Sequence, residues 1–336
     1  MRAIVLILMM AAAALAEHRL YVCGSISKGF VVGRKLEPSG LYVRRNGGEG
    51  FAHVGYVHPY LMTVAADPGD AGRLYAAAGN GVIGMTAEGG EWRILTDWRH
   101  TEYQDVAVER VAGATKARIY AAATDGIVAS DDGGERWREA SAGLRRRFIQ
   151  TIAVDRTAAG VVMAGGEDGL YRSTDAAGSW EAVESGARMV TDVAQSPHDG
   201  RVWTAATQGH GIFLSRDGGR RWARLEAVPG EGMTWDNVSF SPHAAGVMAA
   251  AAFSQGVWVT EDGGKNWVDR SAGLPSRQVW RVRFDPDAAG RLYASVHEEA
   301  VFVSEDGGRG GWKRVGLEGS LATDLVFVPV VKGGGK

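Results

Sequence analysis

Acidic residues recur in two distinct settings along this 336-residue sequence. In the first setting, Asp105, Asp192 and Asp324 each stand inside a short, largely apolar run. In the second, an aspartate sits in a glycine-rich turn that precedes a tryptophan. Two carboxylates held about 5–10 Å apart are the groups that glycoside hydrolysis requires. The aspartates are therefore the first residues to consider for chemistry, and the question is which setting is structural.

The glycine-rich turn follows the pattern Ser/Thr-x-Asp-x-Gly-x-x-Trp. It is complete at 130–137, 215–222 and 260–267, looser at 86–92, 173–180 and 304–312, and degenerate at 45–51. Aspartate and serine oxygens accept hydrogen bonds from the backbone of their own turn, and glycine adopts the positive φ that such a turn needs. We therefore interpret these residues as determinants of the fold: Ser130, Asp132, Gly134, Trp137, Asp175, Trp180, Ser215, Asp217, Gly219, Trp222, Thr260, Asp262, Gly264, Trp267, Ser304, Asp306 and Trp312.

The aromatic residues that end these turns are evenly spaced. They occur at positions 51, 92, 137, 180, 222, 267 and 312, at intervals of 41 to 45 residues. Each interval contains short β-rich runs separated by Gly, Asp and Asn turns, and no helical periodicity is present. Four strands in about 43 residues is the size of one propeller blade. The sequence predicts an all-β fold, a single seven-bladed β-propeller of four-stranded blades.

The two ends of the repeat region complement each other. The segment 18–22 matches the second strand of a repeat, and the segment 323–329 matches the first. We predict that the C-terminal strand joins the N-terminal blade and closes the ring, so that no sheet edge is left open. The propeller is predicted to span 17–330, with a flexible tail at 331–336 and an insert in the first blade at 27–39, interpreted as a surface insertion or a lid.

Residues 1–16 have the features of a secretory signal peptide: a positive start, a short apolar core and a small-x-small end at 14–16. We expect export to the periplasm or the extracellular space, with no integral membrane segment. Lys and Arg (37) nearly balance Asp and Glu (39), which argues against a nucleic-acid partner. One cysteine, Cys23, excludes an intrachain disulfide and a Cys-based zinc cluster. We expect a monomer with no cofactor and no metal.

Aligning the repeats places one polar ring where the first strands meet the central channel. Its members are Thr63, Asp105, Thr151, Asp192, Asn237, Arg281 and Asp324. The ring is either the solvated end of the core or part of a binding surface for a sugar or a peptide, which aromatic, carboxylate and arginine side chains would serve. The predicted ligand-binding residues at this channel mouth are Tyr60, Tyr103, Arg147, Arg188, Trp235, Asp236, Trp280 and Arg281.

The turn motif resembles the Asp-box, or BNR, repeat of sialidases and related secreted propellers, and the resemblance covers residues 18–329. In layout the chain is most similar to the photosystem II stability/assembly factor family, single seven-bladed propellers that act as non-catalytic scaffolds. The resemblance implies a binding or assembly scaffold that engages a protein or a glycan at the channel mouth. Xyloglucanase-like glycosidases share the motif but use two tandem propellers, and sialidases have six blades. The alternative is a glycoside hydrolase using Asp105, Asp192 and Asp324.

Overall fold

The computed structural model describes residues 17–26, 37–44, 50–228 and 232–330, and in these ranges every regular element is a β-strand. The predicted signal peptide, the predicted tail and most of the insert at 27–39 lie outside the described residues. Within the described ranges there is no helix that is long and apolar enough to cross a membrane.

The strands form seven antiparallel sheets of four strands each, which we call blades I to VII. Blade I combines both ends of the described chain. From the channel outward its strands are β28 (Ser320–Pro329), β1 (His18–Ile26), β2 (Gly40–Arg44) and β3 (Ala52–Val57).

Blades II to VII each use four consecutive strands, with the first strand innermost. The strands of blades II, III and IV are β4 (Leu61–Asp67), β5 (Asp70–Ala78), β6 (Gly81–Thr86) and β7 (Trp92–Ile94); β8 (Tyr103–Glu109), β9 (Arg118–Ala123), β10 (Gly126–Ser130) and β11 (Arg138–Glu139); β12 (Ile149–Val154), β13 (Val162–Gly166), β14 (Gly169–Ser173) and β15 (Glu181–Val183). The strands of blades V, VI and VII are β16 (Val190–Gln195), β17 (Trp203–Thr207), β18 (Ile212–Ser215) and β19 (Ala223–Arg224); β20 (Trp235–Phe240), β21 (Met248–Ala252), β22 (Gly256–Thr260) and β23 (Val268–Asp269); β24 (Val279–Phe284), β25 (Leu292–Val296), β26 (Ala300–Ser304) and β27 (Lys313–Gly316).

The innermost strands contact one another in a closed ring, β28 with β4, β4 with β8, and so on through β24 and back to β28. In blade I, β1 pairs antiparallel with β28, from His18 opposite Pro329 to Ile26 opposite Ser320. The predicted seven-bladed propeller and its closure by the C-terminal strand are both confirmed.

Apolar residues from adjacent blades pack together between the sheets, with one described cluster at each of the seven junctions. Small residues on the second strands allow close approach between blades: a Cβ added at Gly165 would lie 2.3 Å from a methyl group of Val190 in the next blade. Large side chains such as Tyr120 and Trp203 fill the wider parts of these junctions and are fully buried. Burial of each such side chain stabilises the ring by about 1.5–3 kcal/mol.

In blades II to VII the glycine-rich turns join the third and fourth strands, and each is held by its own side chains. In the turn of blade III, Ser130 donates to Asp132 (2.9 Å) and accepts from the Gly134 N–H (2.9 Å). The Arg136 N–H donates to Asp132 (2.9 Å), and this hydrogen bond helps to lower the pKa of Asp132 to about 2. The turns at Asp175, Asp217, Asp262 and Asp306 repeat this serine or threonine bond to the aspartate.

Candidate functional site at the channel

The central channel is lined by residues from all seven blades and encloses about 500 Å³. Successive strands in each blade are antiparallel, so the loops that enter the first strands and the turns between second and third strands share one end of the ring. We call this end the mouth face. The glycine-rich turns lie at the opposite end.

A β-bulge recurs in the innermost strand of every blade. In blade III, Tyr103 is opposite Ala123 and Asp105 is opposite Ala122, so one residue of the inner strand is left over. A bulge of this kind inserts one unpaired residue and redirects the side chains that follow. The register shifts at the same place in the other six blades. Across all seven blades, the extra residues are Met62, Gln104, Gln150, Thr191, Asp236, Trp280 and Thr323.

The residue after each bulge is the polar ring position predicted from the sequence. Six of the seven ring residues line the channel: Thr63, Asp105, Thr151, Asp192, Arg281 and Asp324. The seventh, Asn237, is 1% exposed and bridges blades VI and VII, donating to the Val282 carbonyl (2.9 Å) and accepting from the Val282 N–H (3.0 Å). The predicted ring therefore exists, and the next residue in each strand is buried, as at Val106 and Val282.

Two of the ring aspartates also bridge neighbouring blades, by accepting hydrogen bonds from backbone N–H groups of the next blade. Asp105 of blade III accepts from the Ile152 N–H (2.8 Å) and from the Thr151 hydroxyl (3.1 Å) of blade IV. Its other carboxylate oxygen accepts from the Val106 N–H (2.8 Å). Asp192 of blade V accepts from the Val238 N–H of blade VI (3.1 Å).

Asp324, the third ring aspartate, belongs to a charged cluster on the channel wall. It accepts from Thr63 of blade II (2.5 Å) and from Arg283 of blade VII (3.3 Å), while Arg281 lies 3.9 Å from it. The Leu325 N–H also donates to it (2.9 Å). All three candidate catalytic carboxylates are thus hydrogen-bonded to backbone groups of the ring.

Burial dominates the electrostatics of the channel carboxylates. It raises the pKa of Asp105 to about 7, against the opposing effect of the hydrogen bond from Ile152; the negative charge of Asp324 raises it further. Burial also raises the pKa of Asp192, and the positive charges of Arg281 and Arg283 oppose that shift. Burial disfavours the charged form of a carboxyl group, and a nearby cation favours it.

Three rings from blades VI and VII cluster on the mouth face. Phe253 and His297 lie in the turns between second and third strands, and Trp280 is a bulge residue. Their centroids are 5.1 Å (Phe253–Trp280), 5.8 Å (Phe253–His297) and 5.9 Å (Trp280–His297) apart. The Trp280 Nε1–H donates to His297 Nδ1 (2.9 Å), which assigns the proton of a neutral imidazole to Nε2. All three side chains are partly exposed.

Asp236 is buried beside this mouth cluster and is bonded to one of its residues. It is 4% exposed, and its carboxylate accepts from the Phe253 N–H (2.9 Å). Burial raises its pKa to about 7, against the opposing charge of Arg281, which also donates to the Asp236 carbonyl (2.7 Å). Asp236 therefore positions the turn that carries Phe253.

The exposure expected for Tyr103 and Trp235 is wrong: both side chains are fully buried. They precede the bulge, at the position that Leu61 and Ile149 occupy in other blades, and that side chain points into the junction between blades. The position before the bulge is apolar or aromatic in every blade, and this pattern in the sequence already indicated a buried side chain.

Of the eight predicted ligand-binding residues, Arg281 alone is among the residues that line the channel, and Tyr60, Arg147 and Arg188 lie elsewhere on the surface. Tyr60 is 68% exposed and lies over a turn of blade II, away from the channel lining. Arg147 is exposed and donates to the Asp125 carbonyl (3.3 Å), and Arg188 is exposed on the loop before β16.

Sequence analysis missed several residues at the site. Arg283 lines the channel two residues after Arg281, and the period of two in a strand was the available signal. Phe253 and His297 join Trp280 only through the turns of two blades, which no local pattern reveals. The described residues contain no group of three or more His, Cys, Asp or Glu side chains arranged to hold a metal ion.

The ring, its bulges and its blades define a seven-bladed β-propeller, and comparison with known proteins agrees. No family model matches the sequence. A probable oligoxyloglucan-reducing end-specific xyloglucanase of Neosartorya fischeri is 29% identical over 75 residues, which are 20% of this chain and 9% of that protein. The chain therefore spans less than a tenth of the curated relative that it matches.

Solved structures share the fold at low sequence identity. An ancestral GH74 enzyme superposes with a TM-score of 0.63 at 19% identity, over 86% of this chain and 40% of that one. YCF48 bound to D1 peptide gives 0.56 at 17% identity, over 76% and 83% of the two chains. YCF48 from Cyanidioschyzon merolae gives 0.59 at 13%, over 80% and 95%. These likenesses confirm the predicted β-propeller fold.

Proposed function

We propose that this protein is an exported, non-catalytic scaffold that binds an extended protein segment at the mouth of its channel. The observation that carries the proposal is that the ring carboxylates have a structural role. Asp105, Asp192 and Asp324 accept hydrogen bonds from backbone N–H groups, and the first two join neighbouring blades. Carboxylates used in this way hold the ring together.

The mouth cluster of Phe253, Trp280 and His297 supplies the binding surface. Its rings offer apolar faces, and the Nε2–H of a neutral His297 is a fixed donor for a carbonyl oxygen of the ligand. Aromatic faces with a few fixed polar groups are typical of ligand sites. A propeller of the same fold has been solved with a peptide bound, which makes a protein segment the first partner to test.

The test begins with selection of linear dodecapeptides, displayed on phage, against the full chain. A selected peptide, fluorescently labelled, is then titrated with wild-type protein and with Trp280→Ala and Phe253→Ala. We expect each substitution to weaken binding by at least about tenfold, as for aromatic residues that dominate an interface. Val268→Ala, at an exposed position on the outermost strand of blade VI, is the matched control and should leave the affinity unchanged. Equal affinity in all four proteins would contradict the proposal.

A second candidate function is glycoside hydrolysis, and one observation favours it. Asp105, with its pKa raised to about 7, lines the same channel as Asp324, and an acid of raised pKa beside a second carboxylate suits that reaction. Xyloglucan oligosaccharides and fluorogenic sialosides are the substrates to assay. Turnover that Asp105→Asn abolishes would establish the enzyme and overturn the scaffold.

A further inference from the structure

Among the residues that the structure describes, strongly exposed apolar side chains are concentrated in and beside blade II. Six large hydrophobic side chains of the described residues are strongly exposed, and five of them belong to one short part of the chain. Val57 ends strand β3 of blade I, and the other four lie in or beside blade II; we call these five residues the blade II rim: Val57 (57% exposed), Tyr60 (68%), Trp92 (44%), Ile94 (41%) and Trp98 (85%). The sixth, Val268 of blade VI, stands apart from the rim in sequence.

Two of the rim residues, Trp92 and Tyr60, lie at the ends of one row of rings. A line of rings runs from Trp92 through Tyr56 and His58 to Tyr60, with centroid distances of 4.2, 5.5 and 6.4 Å. The turn at 79–81 lies beneath it. A Cβ added at Gly79 would lie 3.2 Å from the Cβ of Tyr60 and 3.3 Å from the His58 ring, so the absence of a side chain there lets both residues lie close to the turn.

The same turn also lies against Ile94 and is bonded to the loop that carries Trp98. A Cβ added at Gly81 would lie 2.8 Å from a methyl group of Ile94. Asn80 donates to the Tyr56 hydroxyl (3.1 Å), and the Glu102 N–H donates to the Gly79 carbonyl (2.9 Å). The latter bond anchors the loop that carries Trp98.

The other blades have the same architecture, so their residues at the equivalent positions show which side chains the fold requires there. At the position of Ile94 four of them carry charged residues, namely Glu139, Arg224, Asp269 and Arg314. At the position of Trp98 three carry glycine, namely Gly143, Gly186 and Gly273. The propeller therefore does not need apolar side chains at these sites, and their presence in blade II requires another reason.

The tryptophan of the blade II turn differs from four of its counterparts, whereas the indole N–H of the fifth, Trp267 of blade VI, is buried and also lacks a hydrogen bond within the described residues. In blades III, IV, V and VII the equivalent indole N–H donates to a backbone carbonyl of the protein. The indole N–H of Trp92, that of Trp98 and the hydroxyl of Tyr60 make no hydrogen bond within the described part of the chain. The rim thus presents apolar faces and three unused donors.

The size and charge of the rim restrict what it binds. Its side chains expose roughly 500 Å² in total, given 150–250 Å² for a whole aromatic side chain. A stable dimer buries about 800 Å² on each partner, so a second copy of the chain is a poor fit. The flanking charges cancel: Glu91 and Arg93 border Trp92, and Asp97 and Arg99, 3.5 Å apart, border Trp98. A narrow, uncharged partner is favoured.

We propose that the blade II rim binds an uncharged, proline-rich protein segment in the polyproline II conformation. Proline has no N–H, and its carbonyl groups in this helix point outward without internal partners, so the segment offers acceptors alone. A surface of aromatic faces and donors complements it, as in other proline-recognition grooves. A sugar chain presents hydroxyl donors as well, for which the Tyr60 hydroxyl and the Glu91 carboxylate are the nearby acceptors, so a neutral glycan is the competitor that the test includes. At about 3.1 Å per residue, the line of rings accommodates about five residues.

The probe for this proposal is fluorescein-labelled decaproline, titrated with the full chain and followed by fluorescence anisotropy. We expect saturable binding, weakened at least about tenfold by Trp98→Ala and by Tyr60→Ala, which alter exposed side chains only. Val268→Ala is the matched control and should bind as wild type. Trp280→Ala at the mouth should also bind as wild type, so the outcome is independent of the proposed function.

Four results would overturn the proposal. The first is no saturable binding of decaproline, and the second is equal binding by Trp98→Ala and wild type. The third is displacement of the probe by cellohexaose, which would assign the rim to a neutral glycan. Sedimentation velocity is run alongside to detect the fourth, a dimer that Trp98→Ala dissolves, which would assign the rim to a second copy of the chain.

Discussion

Replacement of Asp105 by asparagine should remove a pH dependence from the stability of the ring. In the folded protein this carboxyl has a pKa of about 7, raised from 3.8, because it is buried. A group whose pKa is raised on folding binds its proton more tightly in the folded state. Its contribution to stability is complete below pH 3.8 and is lost as the pH rises toward 7. The wild-type free energy of unfolding should therefore fall across this window.

The magnitude follows from the size of the shift. A difference of one pKa unit corresponds to 1.36 kcal/mol, so about three units correspond to about 4 kcal/mol. Asparagine is neutral at every pH and still accepts from the Ile152 N–H, but it has one carboxylate oxygen fewer for the Val106 N–H. Loss of that hydrogen bond costs about 1 kcal/mol. At pH 8 Asp105→Asn should exceed wild type by about 3 kcal/mol, and at pH 4 it should be slightly less stable.

The assay is urea unfolding of both proteins between pH 4 and pH 8.5, followed by tryptophan fluorescence. The difference between the two curves isolates Asp105 from all other titrating groups. Glu91→Gln, at an exposed position beside β7, is the control and should follow wild type. Parallel curves for wild type and Asp105→Asn would refute the argument that burial of this carboxyl governs its proton affinity.

Three further substitutions test the packing of the ring, each by its midpoint of urea unfolding. Asn237→Asp should destabilise by about 3–5 kcal/mol, because a buried carboxylate would face the Val282 carbonyl; a loss below 1 kcal/mol would contradict the bridge. Ser215→Ala should cost about 1–3 kcal/mol by leaving the Gly219 N–H unpaired, and an unchanged midpoint would contradict that bond. Ala176→Gly should stabilise by up to about 1 kcal/mol, because Ala176 has a φ of +59°, and a loss would show that no strain exists there.

The fold was predictable because the chain repeats one unit seven times. A single copy of the turn, such as 45–51, is too degenerate to interpret, but the complete copies at Trp137, Trp222 and Trp267 fix the period. The period then gives the number of blades. The match of 323–329 to a first strand and of 18–22 to a second strand predicts how the ring closes. Repetition thus converts a weak local signal into a strong global one.

The site was predictable only in part. The polar ring position followed from the alignment of repeats, and six of its members do line the channel. The bulge before each ring residue changes the register by one residue, and a shift of one residue exchanges the two faces of a strand. Tyr103 therefore points into a junction rather than into solvent. Contacts such as Asp105 to Ile152 join residues 47 positions apart, and no local pattern encodes them.

Closure of blade I by the last strand has a consequence for the timing of folding. The inner pairing of this blade joins residues near 20 to residues near 325, so β1 lacks its inner partner until almost the whole chain has been made. At about 5–20 residues per second, that interval is roughly 15–60 seconds. Blades II to VII consist of consecutive strands and can form in order as they appear. The first blade to begin is thus the last to be completed, and an open strand edge persists throughout synthesis.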